Sequence, residues 1–222
     1  MPSPCARLRC RCINAGLAVA LFTTFLTASA RAAGASVRET IASAVTATSS
    51  SEQREIVLSL KSNPTPEVIA WLEKWKEGAI FVHEDDVGTS TAVLLTGEPD
   101  AADSYATVRL SDDSPMLAAD GQPVRINPDE VDFADTDSKL RKAMKEVTEL
   151  AALADPDPAK RIRAIQDSAV GQKQEKLAVL EELKATEQDP GAIRALEESM
   201  ALIRLKSETR EERLASCETL GR

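Results

Sequence analysis

The tightest constraint on this chain is a helix-start pattern that returns in register along its last third. Asp157-Pro158-Ala159-Lys160-Arg161-Ile162-Arg163-Ala164-Ile165 comes back about fifty residues later as Thr209-Arg210-Glu211-Glu212-Arg213-Leu214-Ala215-Ser216-Cys217. Arg161 then matches Arg213, Ile162 matches Leu214, and Ile165 matches Cys217. Between them, Asp189-Pro190-Gly191-Ala192-Ile193-Arg194-Ala195-Leu196 opens another helix in the same style. An Asp or Thr before the first turn can accept from backbone N–H groups that a helix start leaves without partners, and proline suits the first helical position. Each of these helices carries one apolar stripe, and recurring stripes are hidden by stacking each unit on the next. The expected fold is mainly α: a helical repeat (α-solenoid) carrying a small β insert.

Composition points the same way. Aromatic residues make up only 3% of the chain against 43% hydrophobic overall, so the core is built from Leu, Ile, Val and Ala. Close-packed helices suit that supply better than a sandwich or barrel, which draws on aromatic and β-branched residues. Residues 31–78 read as helical. Val37, Ile41 and Val45 form one stripe, Ser50 or Ser51 caps a second helix carrying Ile56, Val57 and Leu60, and Thr65-Pro66 caps a third. Trp71 and Trp75 lie one turn apart on that third helix and are read as packing. Residues 79–134 form the β insert. Its expected strands are Ala79–His83, Thr91–Leu95 and Tyr105–Leu110, followed by a hairpin turning at Asp120-Gly121. From residue 135 to 222 helices return, the first capped by Ser138, and the last begins near Ser207. That last helix has no partner after it, so the repeat is expected either to dock on another chain or to continue in a longer protein.

The first thirty residues have the layout of a secretory signal peptide. Arg7, Arg9 and Arg11 precede an uncharged run from Ile13 to Leu26, and Ala28-Ser29-Ala30 supplies small residues for cleavage. The apolar run is short for a membrane span. Cleavage leaves Cys217 as the one remaining cysteine, so no internal disulfide is expected; its match to Ile165 marks it as a buried apolar residue. The formal net charge of −9 becomes three units more negative without the leader arginines. Such a chain repels phosphate backbones, which argues against nucleic-acid binding.

Catalytic motifs are missing. No glycine-rich phosphate loop, Gly-x-Ser-x-Gly elbow or His-Glu-x-x-His helix occurs, and the chain is read as non-enzymatic and without a cofactor. The one histidine, His83, with Glu84 and Asp86, is a weak metal candidate. Neighbouring strand residues point to opposite faces, so an acidic hairpin tip is the better reading. Arg161, Arg194 and Arg213, with Ile162 and Leu214, form the repeat signature. The arginines are expected to bond carbonyls of the neighbouring turn or acidic side chains.

The order of these pieces resembles the N-terminal extracytoplasmic, HEAT-like region of urea-type ABC transporter permeases, in the branched-chain amino acid permease superfamily. The matching stretches are Pro66-Glu67-Val68-Ile69-Ala70-Trp71-Leu72-Glu73 running into Gly78-Ala79-Ile80-Phe81-Val82, and Asp120-Gly121-Gln122-Pro123-Val124 followed by Ser138-Lys139-Leu140-Arg141-Lys142-Ala143. Asp155-Pro156-Asp157-Pro158 with Arg161-Ile162, Asp189-Pro190 with Arg194, and Arg213-Leu214 to Leu220-Gly221 complete them. The resemblance implies a periplasmic docking or assembly role beside an importer for urea, amides or branched-chain amino acids, with no transport activity of its own. The implied partners are an ABC transporter membrane subunit or a solute-binding protein. Membrane contact would come only through a partner or a downstream permease region. The β insert is more acidic than that family suggests. The alternative reading is a free-standing periplasmic HEAT-like adaptor unrelated to a transporter.

Overall fold

A computed structural model describes residues 35–118 and 120–222, and Gly34–Arg222 form one compact unit. The expected leader and its cleavage site lie outside the described residues. Three helices open the described chain. Helix α1 (Val37–Val45) starts on a capping box, in which Ser36 accepts from Glu39 N–H and Glu39 accepts in return from Ser36 N–H. Helix α2 (Ser50–Ser59) is capped by Ser49, one residue before the expected serines. Helix α3 (Pro66–Lys76) follows Thr65, but the expected Thr65 side-chain cap does not form. Its backbone carbonyl, not its hydroxyl, receives Val68 N–H at 3.1 Å, and Oγ1 is buried without a partner. Trp75 is buried and its Nε1 donates to Ala134 O at 2.9 Å, tying α3 to the chain just after the last strand. Gly78, at φ +78°, then turns the chain out of the helix, a conformation in which a Cβ would be strained.

The sheet is antiparallel and five-stranded, in the order β4-β3-β2-β1-β5. Strand β1 (Phe81–Glu84) pairs with β2 (Ser90–Thr96), and β2 with β3 (Tyr105–Arg109). Short β4 (Arg125–Ile126) and β5 (Asp132–Phe133) close the two edges. The turn at Asp120-Gly121 forms as expected, with a bridge between Leu117 and Pro123. Strand β1 starts two residues later than expected, because Ala79 N–H is spent on Lys74 O at the end of α3. Alternate residues Val82, Ala92 and Leu94 face the helices.

Five more helices follow: α4 (Ser138–Leu153), α5 (Pro158–Ala169), α6 (Leu177–Thr186), α7 (Pro190–Arg204) and α8 (Arg210–Leu220). The cap of α4 is Asp137, which accepts from Leu140 N–H at 2.6 Å, so Ser138 is its first helical residue rather than its cap. A carboxylate next to a hydroxyl is the stronger acceptor for orphan N–H groups.

Two apolar cores result among the described residues. The first gathers Ile41 and Val57 of α1 and α2, Leu72 and Trp75 of α3, Ala92 and Leu110 of the β region, and Leu140, Met144 and Val147 of α4. It crosses both boundaries expected at 78/79 and 134/135, so the β region packs into the helical core through Ala92 and Leu110. The second core joins Leu153 at the end of α4 to Ile165, Leu180, Leu196, Met200 and Ile203. Helix α4 thus serves both. No helix among the described residues is long and apolar enough to cross a membrane.

Candidate docking surface

The repeat arginines behave as two of a kind and one exception. Arg161 lies one turn into α5, where Nη1 donates back to the carbonyls of Asp155 at 2.8 Å and Pro156 at 3.2 Å. Its Nε and Nη2 form a fork on Glu187, at 2.9 and 2.8 Å, from the turn that leads into α7. The two side chains are only 15% and 5% exposed. Glu187 also accepts from the N–H groups of Gln188 and Asp189. The Arg161 hydrogen bonds, helped by those backbone donors and opposed by burial, hold its carboxyl at about 2 instead of the ordinary 4.5. The same fork raises the pKa of the Arg161 guanidinium.

Arg213 repeats the backbone half of this arrangement. Its Nη1 donates to Ser207 O at 2.8 Å and Glu208 O at 2.9 Å, the carbonyls at the same offsets as those Arg161 uses. Among the described residues no carboxylate meets the Arg213 guanidinium. Arg194 departs from the row. It stands one residue farther from its N-cap Asp189 than Arg161 does from Asp157, which rotates it to the solvent face, where it pairs with Glu198 at 2.9 Å. Ile193 holds the matching place.

The apolar positions divide in the same way. Helix α7 covers Ile162 and Ile165: Ser199 Oγ donates to Ile165 O at 3.2 Å, and Ile162 Cδ1 reaches so close to Gly191 that a Cβ there would meet it at 3.2 Å. Ile165 is fully buried. On α8, Leu214 is 53% exposed and Cys217 is exposed. The expectation that Cys217 is a buried apolar residue is therefore overturned. The helix turns it outward in register with Ile165, but nothing lies over that face among the described residues. Only Ser216, toward α7, is buried on this helix.

A groove of about 410 Å³ lies between α4, α5 and α6. Leu150, Leu153, Ala164, Val179 and Leu180 line it, and the ion pairs Lys176–Glu149 at 3.0 Å and Lys61–Glu146 at 2.9 Å stand at its rim. Its walls are apolar with a charged edge, which suits a protein side chain or helix more than a small polar ligand.

The hairpin carrying His83 is organised by a different residue. His83 stands opposite Thr91 and Glu84 opposite Ser90. Asp85 forms the tip, with Oδ1 accepting from Val87 N–H at 3.1 Å and Thr89 N–H at 2.7 Å. These backbone donors hold the Asp85 carboxyl below its ordinary range. His83, Glu84 and Asp86 are not gathered, and no group of three or more His, Cys, Asp or Glu among the described residues is placed to hold a metal ion.

Glu187 escaped the sequence reading because its partner lies across a helix and two turns. The available signal was its place two residues before the Asp189-Pro190 start, where a carboxylate can reach back to the preceding unit. Comparison with protein-family models, curated proteins and solved structures finds no match for this chain.

Proposed function

We propose that this chain is a HEAT-like helical-repeat interaction module, exported to the periplasm, that docks or assembles with an ABC importer of the urea or amide type. The observation that carries the docking role is the recurrence of one arginine clamp on α5 and α8, with the face beside it covered on the first and open on the second. A stacking surface repeated in register, with one copy uncovered, is how helical repeats present themselves to partners. The apolar groove between α4 and α6 adds a second contact region on the same part of the molecule. The importer assignment is supported by the order of leader, helices, β insert and Asp-Pro helix starts. Transport itself would belong to the partner.

The test is photo-crosslinking in the native cell from Val179 in the groove and Leu214 on α8, with mass spectrometry of the adducts and of the mature N-terminus. The expected result is a chain that begins near Ala30 and adducts with a transporter membrane subunit or a solute-binding protein. Adducts confined to proteins outside any importer would favour a free-standing adaptor. A chain retaining residues 1–30 in the cytoplasm would contradict the export reading.

A further inference from the structure

The hairpin tip at Asp120-Gly121 holds chemistry that the docking role does not use. Asp120 Oδ1 accepts from Gln122 N–H at 3.0 Å, which folds the carboxyl over the peptide joining it to Gly121. Both residues are exposed. Asp85, Asp100, Asp112, Asp155 and Asp157 fold in the same way, each accepting at 2.9 to 3.1 Å from the N–H two residues on. What differs is the residue in between. After Asp155 and Asp157 it is a proline, whose nitrogen carries no proton to lose. After Asp85, Asp100 and Asp112 it is Asp86, Ala101 or Asp113, each with a Cβ that crowds the nitrogen. Asp120 is followed by glycine, in the one Asp-Gly pair of the chain, and no Asn-Gly pair occurs. Gly121 stands at φ +80°, and a Cβ built there would meet nothing within 4 Å. Its N–H is held by Ala118 O at 2.9 Å, at the open end of the hairpin.

We infer that Asp120 is a modification site, where aspartate isomerises spontaneously to isoaspartate through a ring closed on the Gly121 nitrogen. That nitrogen attacks Cγ of the protonated carboxyl. The N–Cγ bond forms, the amide proton is lost and the hydroxyl leaves as water, giving a succinimide. Water then reopens the ring. Attack at Cγ restores aspartate, whereas attack at the original main-chain carbonyl leaves the chain running through Cβ and Cγ, as isoaspartate. The two hydrolysis products have the same mass, and water is the only co-reactant. Glycine permits the approach because it has no Cβ. The product adds one atom to the main chain inside a tight turn, and turn length fixes hairpin register. The bonds at stake are Ala118 N–H to Gln122 O and Val124 N–H to Met116 O, both 2.8 Å, and the bridge between Leu117 and Pro123. Thr107 of β3 donates to Val124 O at 3.2 Å, so loosening reaches the sheet edge. The chemistry is independent of docking and of export.

The test ages the intact, folded chain for weeks at mildly acid pH. The protein is then unfolded and digested with a protease that cuts before aspartate and not before isoaspartate. The uncut peptide is identified by coelution with a synthetic isoaspartyl standard. Isoaspartate at position 120 is expected to accumulate about tenfold faster than at any other aspartate, and Gly121→Ala should slow it by a similar factor. Asp120→Glu keeps the charge and the glycine but would have to close a larger ring, so it should yield no isomer. Amide exchange at Ala118 and Val124 should be faster in the converted fraction than in the fresh chain. An Asp120 that ages no faster than Asp85 or Asp100 would overturn the proposal. So would a parent rate in Gly121→Ala, or unchanged exchange in the converted fraction.

Discussion

Helices α5 and α8 enter the fold through the same arginine–carbonyl clamp, yet Ile165 of one is fully buried and Cys217 of the other is exposed. The clamp is local: it joins a guanidinium to carbonyls five and six residues earlier, so it forms in both places without help from elsewhere. The second half of the Arg161 site is tertiary. Glu187 comes from the turn before α7, Gly191 and Ser199 come from α7 itself, and they turn a helix start into part of a core. The difference separates what a helix carries in its own sequence from what only a neighbouring helix can add.

The sharpest way to break the comparison is to empty matching positions. Ile165→Ala should cost about 4 kcal/mol, from lost burial and a cavity that α7 fills poorly. Cys217→Ala should stay within about 0.5 kcal/mol. Urea denaturation of both variants measures the pair, and similar losses would show that α8 is covered after all. Next come the charges. Glu187→Ala strands a nearly buried guanidinium and should cost about 3 kcal/mol. Arg213→Ala, with no carboxylate left behind, should cost about 1 kcal/mol, from two carbonyl hydrogen bonds.

Acid should act more strongly on the α5 side, because Glu212 on α8, whose carboxyl the Ser207 and Thr209 hydroxyls also hold below its ordinary range, is exposed. The folded-state pKa of Glu187 is depressed from 4.5 to about 2, so its contribution is fully present above pH 4.5 and is lost as pH falls toward 2. Folding stability measured across that window should therefore fall more steeply for the parent chain than for Glu187→Gln. Equal slopes would mean that Glu187 does not hold the α5–α7 joint. The smallest effect concerns the helix starts. Asp157 caps α5 by accepting from Ala159 N–H, whereas Thr209 makes no side-chain cap on α8. Thr209→Asp should stabilise α8 by roughly 0.5 kcal/mol, read as slower amide exchange in its first turn.

Much of the helical part was legible because its signals are local. Asp157-Pro158 and Asp189-Pro190 start helices, as their chemistry requires, and the stripes of α1, α3 and α4 mark their buried faces. The strands β1 to β3 were legible to within a residue or two from runs of β-branched and apolar residues. The failures share one cause, which is competition beyond the residue itself. Thr65 lost its capping role to its own carbonyl, and Ser138 lost its role to Asp137. Cys217 was given burial by analogy with Ile165, although burial depends on a covering helix that no residue within α8 can reveal. Arg194 matched the other arginines in type but not in helical phase, and a shift of one residue turns a side chain by about 100°. Glu187 was invisible for the opposite reason: only the fold brings it to Arg161.

The central claim, that two equivalent faces exist and only one is covered among the described residues, is tested most directly by paired thiol labelling. One protein keeps Cys217 as its only cysteine; the other carries Ile165→Cys with Cys217→Ser, and Cys5, Cys10 and Cys12 are serine in both. Under native conditions Cys217 should label as fast as an unhindered thiol, while a cysteine at 165 should label about a thousandfold more slowly, limited by opening of the core. Equal rates, or a protected Cys217 in the isolated chain, would contradict it.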